Sequence, residues 1–75
     1  MPDRRRELWS DSASQWSLEE DAAGAVWLTV VIYDGPTAGG AEVKLTIADA
    51  ARCRKSRAAA HRLAERIFRR KGRYP

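Results

Sequence analysis

Four groupings in this 75-residue chain carry side chains capable of chemistry. The first is Cys53 with His61, the residue types of a thiolate–imidazole pair. On one helix, their eight-residue spacing separates them by about 12 Å along the axis, so direct contact is excluded. Cys53 then reads as a small core residue, and His61 as a boundary residue beside the apolar seam. A metal centre needs several converging ligands, and one cysteine with one histidine cannot supply them. No metal and no cofactor is therefore expected. The second grouping is Glu19-Glu20-Asp21, which imitates a paired-carboxylate acid/base site. It falls at a predicted hairpin turn, where such charges are ordinarily solvated. The third is Gly35 to Lys44, with Gly35 and Gly40 spaced as in a phosphate loop. That motif requires Lys and then Ser or Thr after the second glycine. Ala41 and Glu42 stand there instead, so the motif is rejected. No dinucleotide fingerprint or nucleophile elbow occurs, and the chain reads as non-catalytic.

The fourth grouping is basic. On a helix running to Arg73, Lys55, Arg62, Arg66, Arg69 and Arg73 fall within about 60° of one another, almost opposite the apolar residues. Arg52 and Arg70 flank this stripe. From Arg62 onward the members rise by about 4.5 to 6 Å, close to the spacing of neighbouring phosphates on one strand. Arginine suits such a partner because its planar fork donates two hydrogen bonds to a phosphate and stays charged. A merely solvated helix face usually mixes its charges. Here Arg62–Arg66, Arg66–Arg70 and Arg69–Arg73 are like-signed i,i+4 pairs, each costing a few tenths of a kcal/mol.

The charge is unevenly placed. Residues 1–49 hold four bases and nine acids, net −5, and residues 50–75 hold ten bases and one acid, net +9; together they give the formal +4 of the whole chain. This asymmetry points to a polyanionic partner. Part of the arginine excess, beside 13 alanines, is also what GC-rich coding produces. Other classes fall away. A lone cysteine forms no internal disulfide. The longest apolar run, Ala25 to Tyr33, is too short for a bilayer, so no membrane partner is expected. Arg4-Arg5-Arg6 is followed by Glu7 rather than an apolar signal segment, and a cytoplasmic protein is expected. At 44% hydrophobic residues with three tryptophans, the chain has enough apolar surface to fold.

The elements that position these residues are predicted as an α+β domain: a three-stranded antiparallel sheet with one long C-terminal helix packed on one face, in the order β-β-β-α. Residues 1–13 read as an N-terminal arm pinned by Trp9, ahead of a single domain over 14–75. Ser14 to Leu18 reads as a short edge strand, and Glu19 to Gly24 as a hairpin connection. Ala25 to Tyr33 is the clearest strand. Period two puts Val26, Leu28, Val30 and Ile32 on one face and Trp27, Thr29, Val31 and Tyr33 on the other. With both faces apolar, the strand is expected to be central and covered on each side. Asp34 to Gly40 reads as a loop, then Val43, Leu45 and Ile47 point inward from a third strand. Thr46-Ile47-Ala48-Asp49 has capping-box spacing, with Asp49 as a rival cap. A helix is expected over about 47–71, stopped by Gly72, with Cys53, Ala60, Leu63, Ala64 and Ile67 as its seam and Phe68 at the flank.

The stretch Arg54-Lys55-Ser56-Arg57-Ala58-Ala59-Ala60 resembles the basic, alanine-rich start of the final helix of the double-stranded-RNA-binding domain. The resemblance covers about 15 residues. The chain has no match to that family's Gly-Pro-x-His loop, and its helix begins before the basic segment, so membership is not assigned.

The function expected from the sequence is thus a small basic binding protein that engages a polyanion, nucleic acid first, through its arginine-rich helix face. No small-molecule substrate is implied. The alternative is an acidic protein surface as partner. In that case the chain would be a docking adaptor or inhibitor, of the kind a phage or mobile element directs at a host nucleic-acid-handling or defence complex. Such a protein could act as a homodimer through Trp27, Val31 and Tyr33.

Overall fold

Alternation along Val26–Asp34 sets the architecture: Val26, Leu28 and Val30 are buried, while Trp27, Thr29 and Val31 on the opposite face are half-exposed. A computed structural model describes residues 5–34 and 37–75, with the side chains of Tyr33, Asp34, Thr37 and Ala38 outside the description. The elements are β1 (Arg6–Asp11), β2 (Trp16–Glu20), β3 (Val26–Asp34), β4 (Thr37–Lys44), α1 (Ile47–Lys55) and α2 (Arg57–Arg69). The strands form one antiparallel meander in the order β1-β2-β3-β4. The class is α+β, as expected.

The details differ from the sequence reading in five places. Residues 6–11, expected within an arm, form a fourth strand, with a bulge between Glu7 and Trp9. This places β2 inside the sheet and makes β1 the edge. Only Leu8 and Trp9 are apolar in β1, and the bulge breaks their alternation, which hides the strand from a periodicity argument. Strand β4 begins at Thr37, inside the stretch read as a loop, while Gly35 and Pro36 lie outside the described residues. Ile47, expected inward, is 90% exposed. The strand has ended by then, Thr46 caps α1, and the first helical residue points outward.

The fourth difference is the helix. Ser56, in extended backbone (φ −145°, ψ 112°), ends α1 and caps α2 by accepting a hydrogen bond from the Ala59 amide. A straight helix over residues 47–69 would be about 35 Å long, as long as the whole molecule, whose largest extent is 35 Å. It would overhang strands of five to nine residues. The break lets both helices contribute to one core of Trp16, Leu18, Val26, Leu28, Val30, Leu45, Cys53, Ala60, Leu63, Ala64 and Ile67. The whole predicted seam is buried there. The buried residues of both helices join Val26, Leu28 and Val30, while Trp27, Thr29 and Val31 on the opposite face are only half-buried, contrary to the expectation of cover on both sides.

Three tethers fix the helices. Trp9 Nε1 donates to the Cys53 carbonyl at 2.9 Å, satisfying an acceptor in the last turn of α1. Thr46 accepts from the Asp49 amide as N-cap, and Tyr74 completes the box. The Thr46 amide donates to the Tyr74 hydroxyl at 2.9 Å, which donates to Asp49 Oδ2 at 2.6 Å. Finally, α2 ends in a Schellman arrangement: Gly72 N–H donates to Ile67 O and Lys71 N–H to Phe68 O. Lys71 and Gly72 both have left-handed backbone, at φ 54° and 91°. A Cβ on Gly72 would also come within 3.0 Å of the Ala41 Cβ, so the tail passes close beneath β4.

Candidate polyanion-binding face

Acids and bases are sorted by the fold. Arg5 meets Glu42 at 2.7 Å and Glu19 at 3.9 Å, and Arg6 meets Glu20 at 2.7 Å. Arg54 reaches across from α1 to Glu20 and the Gly24 carbonyl. Arg57, at the start of α2, binds Asp11 and the Ser10 carbonyl. Arg52 pairs with Asp49 one turn earlier on α1. The charged run Glu19-Glu20-Asp21, expected to be solvated, is thus engaged. Glu20 holds two arginines. Asp21 closes the β2–β3 turn, accepting from the Ala23 and Ala25 amides and the Trp27 indole, while Gly24 supplies the left-handed residue (φ 87°).

These partners lower the acid pKa values. Arg54 beside Glu20, the Trp27 N–H on Asp21, the Ser14 amide on Asp11 and Arg5 beside Glu42 each favour the charged carboxylate.

What remains is concentrated on α2 and the tail. Among the described residues, Arg62, Arg66, Arg69, Arg70, Lys71 and Arg73 make no ion pair, and neither does Lys55. Arg62, Arg66 and Arg69 lie within about 60° on α2, opposite its buried residues Ala60, Leu63, Ala64 and Ile67. Arg66 and Arg62 also line, with Arg52 and Asp49, a narrow crevice between α1 and α2 of about 90 Å³. Arg69, Arg70, Lys71 and Arg73 surround an open depression of about 420 Å³ at the end of α2.

The structure therefore brings together most of the predicted stripe by a different route. Lys55 ends α1 and is not in register with α2, because Ser56 interrupts the helix. Arg73 lies past the helix terminus and rejoins the group only through the turn at Lys71 and Gly72. Arg52 is engaged by Asp49.

The other candidates have local roles. Cys53 is buried in the core, and burial, with Asp49 nearby, raises its thiol pKa. His61 Nδ1 accepts from Trp16 Nε1 at 3.0 Å, and its Nε2 lies 3.5 Å from Glu65. Trp27 is covered by Arg5, whose guanidinium carbon is 4.6 Å from the ring centroid, and its N–H is held by Asp21. Val31 is half-buried on the same face, and the Tyr33 side chain lies outside the described residues.

Sequence reasoning placed Phe68 only at the flank of the seam. In the fold it is 47% exposed and borders a recess of about 360 Å³, with Trp16, Val30 and Ala64 also lining it and Glu65 and Arg69 present. A lone aromatic next to a basic run was the available signal.

Comparison of the chain with protein-family models, curated proteins and solved structures returned no match. No described helix is long and apolar enough to cross a membrane. No group of three or more potential metal ligands occurs among the described residues.

Proposed function

We propose that this protein binds nucleic acid, without a covalent step, through the cationic surface formed by Arg62, Arg66, Arg69, Arg70, Lys71 and Arg73. One observation carries the reading. Among the described residues, Arg5, Arg6, Arg52, Arg54 and Arg57 pair with acids, while a contiguous set of bases on α2 and its tail makes no ion pair. Like charges at Arg62, Arg66 and Arg70 repel one another on the free protein. A phosphate backbone relieves that repulsion and releases its own counterions, which supplies the driving force. Engaging about five phosphates gives a slope of log K against log salt near −3.5 for a single strand, or −4.5 for a duplex.

The test is fluorescence anisotropy with labelled DNA and RNA, single- and double-stranded, between about 50 and 200 mM salt. The double substitution Arg62→Glu, Arg66→Glu is expected to weaken binding and flatten the slope by about 1.4 to 1.8. Both side chains are exposed, so the fold is retained. Absence of binding to all four nucleic acids at the lowest salt refutes the proposal.

A further inference from the structure

We infer that the recess beside Phe68 takes an unpaired base, so that the preferred ligand is single-stranded nucleic acid. The inference rests on the nucleic-acid reading above and adds the strandedness and the base site to it.

Among the described residues Phe68 is the exposed large aromatic, at 47%, and it stands one residue before the basic turn that starts at Arg69. Beside it the recess has an apolar floor of Trp16, Val30 and Ala64, each 4% exposed or less. Trp16 already donates its indole N–H to His61, so it offers the recess carbon surface rather than a donor. The volume, about 360 Å³, is near the lower end for ligand sites and suits one small planar group.

Charge decides what that group is. Arg69 lines both this recess and the depression holding Arg70, Lys71 and Arg73. A backbone phosphate on Arg69 therefore stands at the mouth of the recess. Glu65 lies on the recess lining as well, and its carboxylate repels a second phosphate there while accepting hydrogen bonds from base amino groups. Backbone outside and base inside is the arrangement these signs favour. A base can enter only when it is not stacked in a duplex, and an aromatic face then gains stacking energy with any base.

The experiment compares three ligands of equal length: a mixed-sequence DNA single strand, its duplex, and an abasic phosphodiester strand with the same charge. Each is titrated against the wild type, Phe68→Ala and Phe68→Trp. The single strand is expected to lose about 5- to 150-fold in affinity with Phe68→Ala, at an unchanged salt slope, and to recover with Phe68→Trp. The abasic strand is expected to bind the wild type more weakly, with the same slope, and to ignore the Phe68 substitutions. If the abasic strand binds as tightly as the natural one, or if Phe68→Ala leaves single-strand affinity unchanged, the base site is refuted while nucleic-acid binding stands. If no ligand binds, the underlying reading itself fails. The abasic comparison uses unaltered protein, so it decides the matter even if Phe68→Ala perturbs folding.

Discussion

Substitution of Ser56 tests the break between α1 and α2, which separates Lys55 from the basic face of α2. Ser56 has extended backbone, and its hydroxyl accepts from the Ala59 amide at 3.1 Å. Replacing a serine N-cap with alanine costs about 1 kcal/mol, and replacing it with glycine costs only a few tenths. For a domain of this size, 1 kcal/mol corresponds to a Tm change of roughly 4 to 8 °C. Ser56→Ala is therefore expected to lower Tm by about that amount, with Ser56→Gly falling between it and the wild type. An unbroken helix predicts a different order, with alanine most stable, serine between, and glycine least stable. Alanine is the best helix former, serine is worse by about half a kcal/mol, and glycine is worst by about 1 kcal/mol relative to alanine. Thermal melts of the three proteins, followed by far-UV circular dichroism, separate the two. A Tm for Ser56→Ala above wild type, with Ser56→Gly lowest, would refute the broken helix and with it the separation of Lys55 from the α2 face.

Two further predictions follow from local geometry. Lys71 sits at φ 54°, a conformation that costs a side-chain-bearing residue about 1 to 2 kcal/mol; glycine's greater freedom in the unfolded chain offsets about 0.5 to 1 kcal/mol of that, so Lys71→Gly is expected to raise Tm by about 2 to 8 °C. The same variant should flatten the salt slope of nucleic-acid binding by about 0.7 to 0.9, so a melt and a salt titration check it twice. The carboxyls of Asp11, Glu20, Asp21 and Glu42 are held below their ordinary values of 3.8 for aspartate and 4.5 for glutamate. Their contribution is complete above those values and disappears as pH falls through the lowered ones. Asp21→Asn is expected to reduce the acid-induced loss of stability, measured by urea unfolding between about pH 6 and pH 2; an unchanged pH profile would show that the turn does not depend on the Asp21 charge.

Much of the framework was legible because it is local. The alternation in β3 and the seam from Cys53 to Ile67 are repeating patterns, and both are buried as the pattern requires. Thr46 caps α1 because its hydroxyl reaches an amide three residues on. Strand β1 was not legible: with two apolar residues and a bulge it has no period to detect, and it is a strand only because β2 pairs with it. The break at Ser56 was equally hidden. No Gly or Pro interrupts the stretch, and serine is tolerated in helices as well as favoured at caps. Tethers from distant strands choose between the two. Trp9 holds the end of α1, and Arg57 is held at the start of α2 by Asp11.

The sequence alone determined the charge imbalance, −5 against +9, because it is a sum over residue types. It could not tell one arginine from another. Arg54 and Arg57 belong to the same basic segment as Arg62 and Arg66, yet the first two bind acids 34 and 46 residues away. Arg62 and Arg66 have no such partner among the described residues. That sorting depends on which helix face each base occupies and which strand lies opposite, distances that exist only once the chain has folded. Tertiary structure thereby gives bases of one segment different tasks. Arg54 and Arg57 clamp the helices to the sheet, and Arg62, Arg66, Arg69, Arg70, Lys71 and Arg73 are left on α2 and its tail beside Phe68.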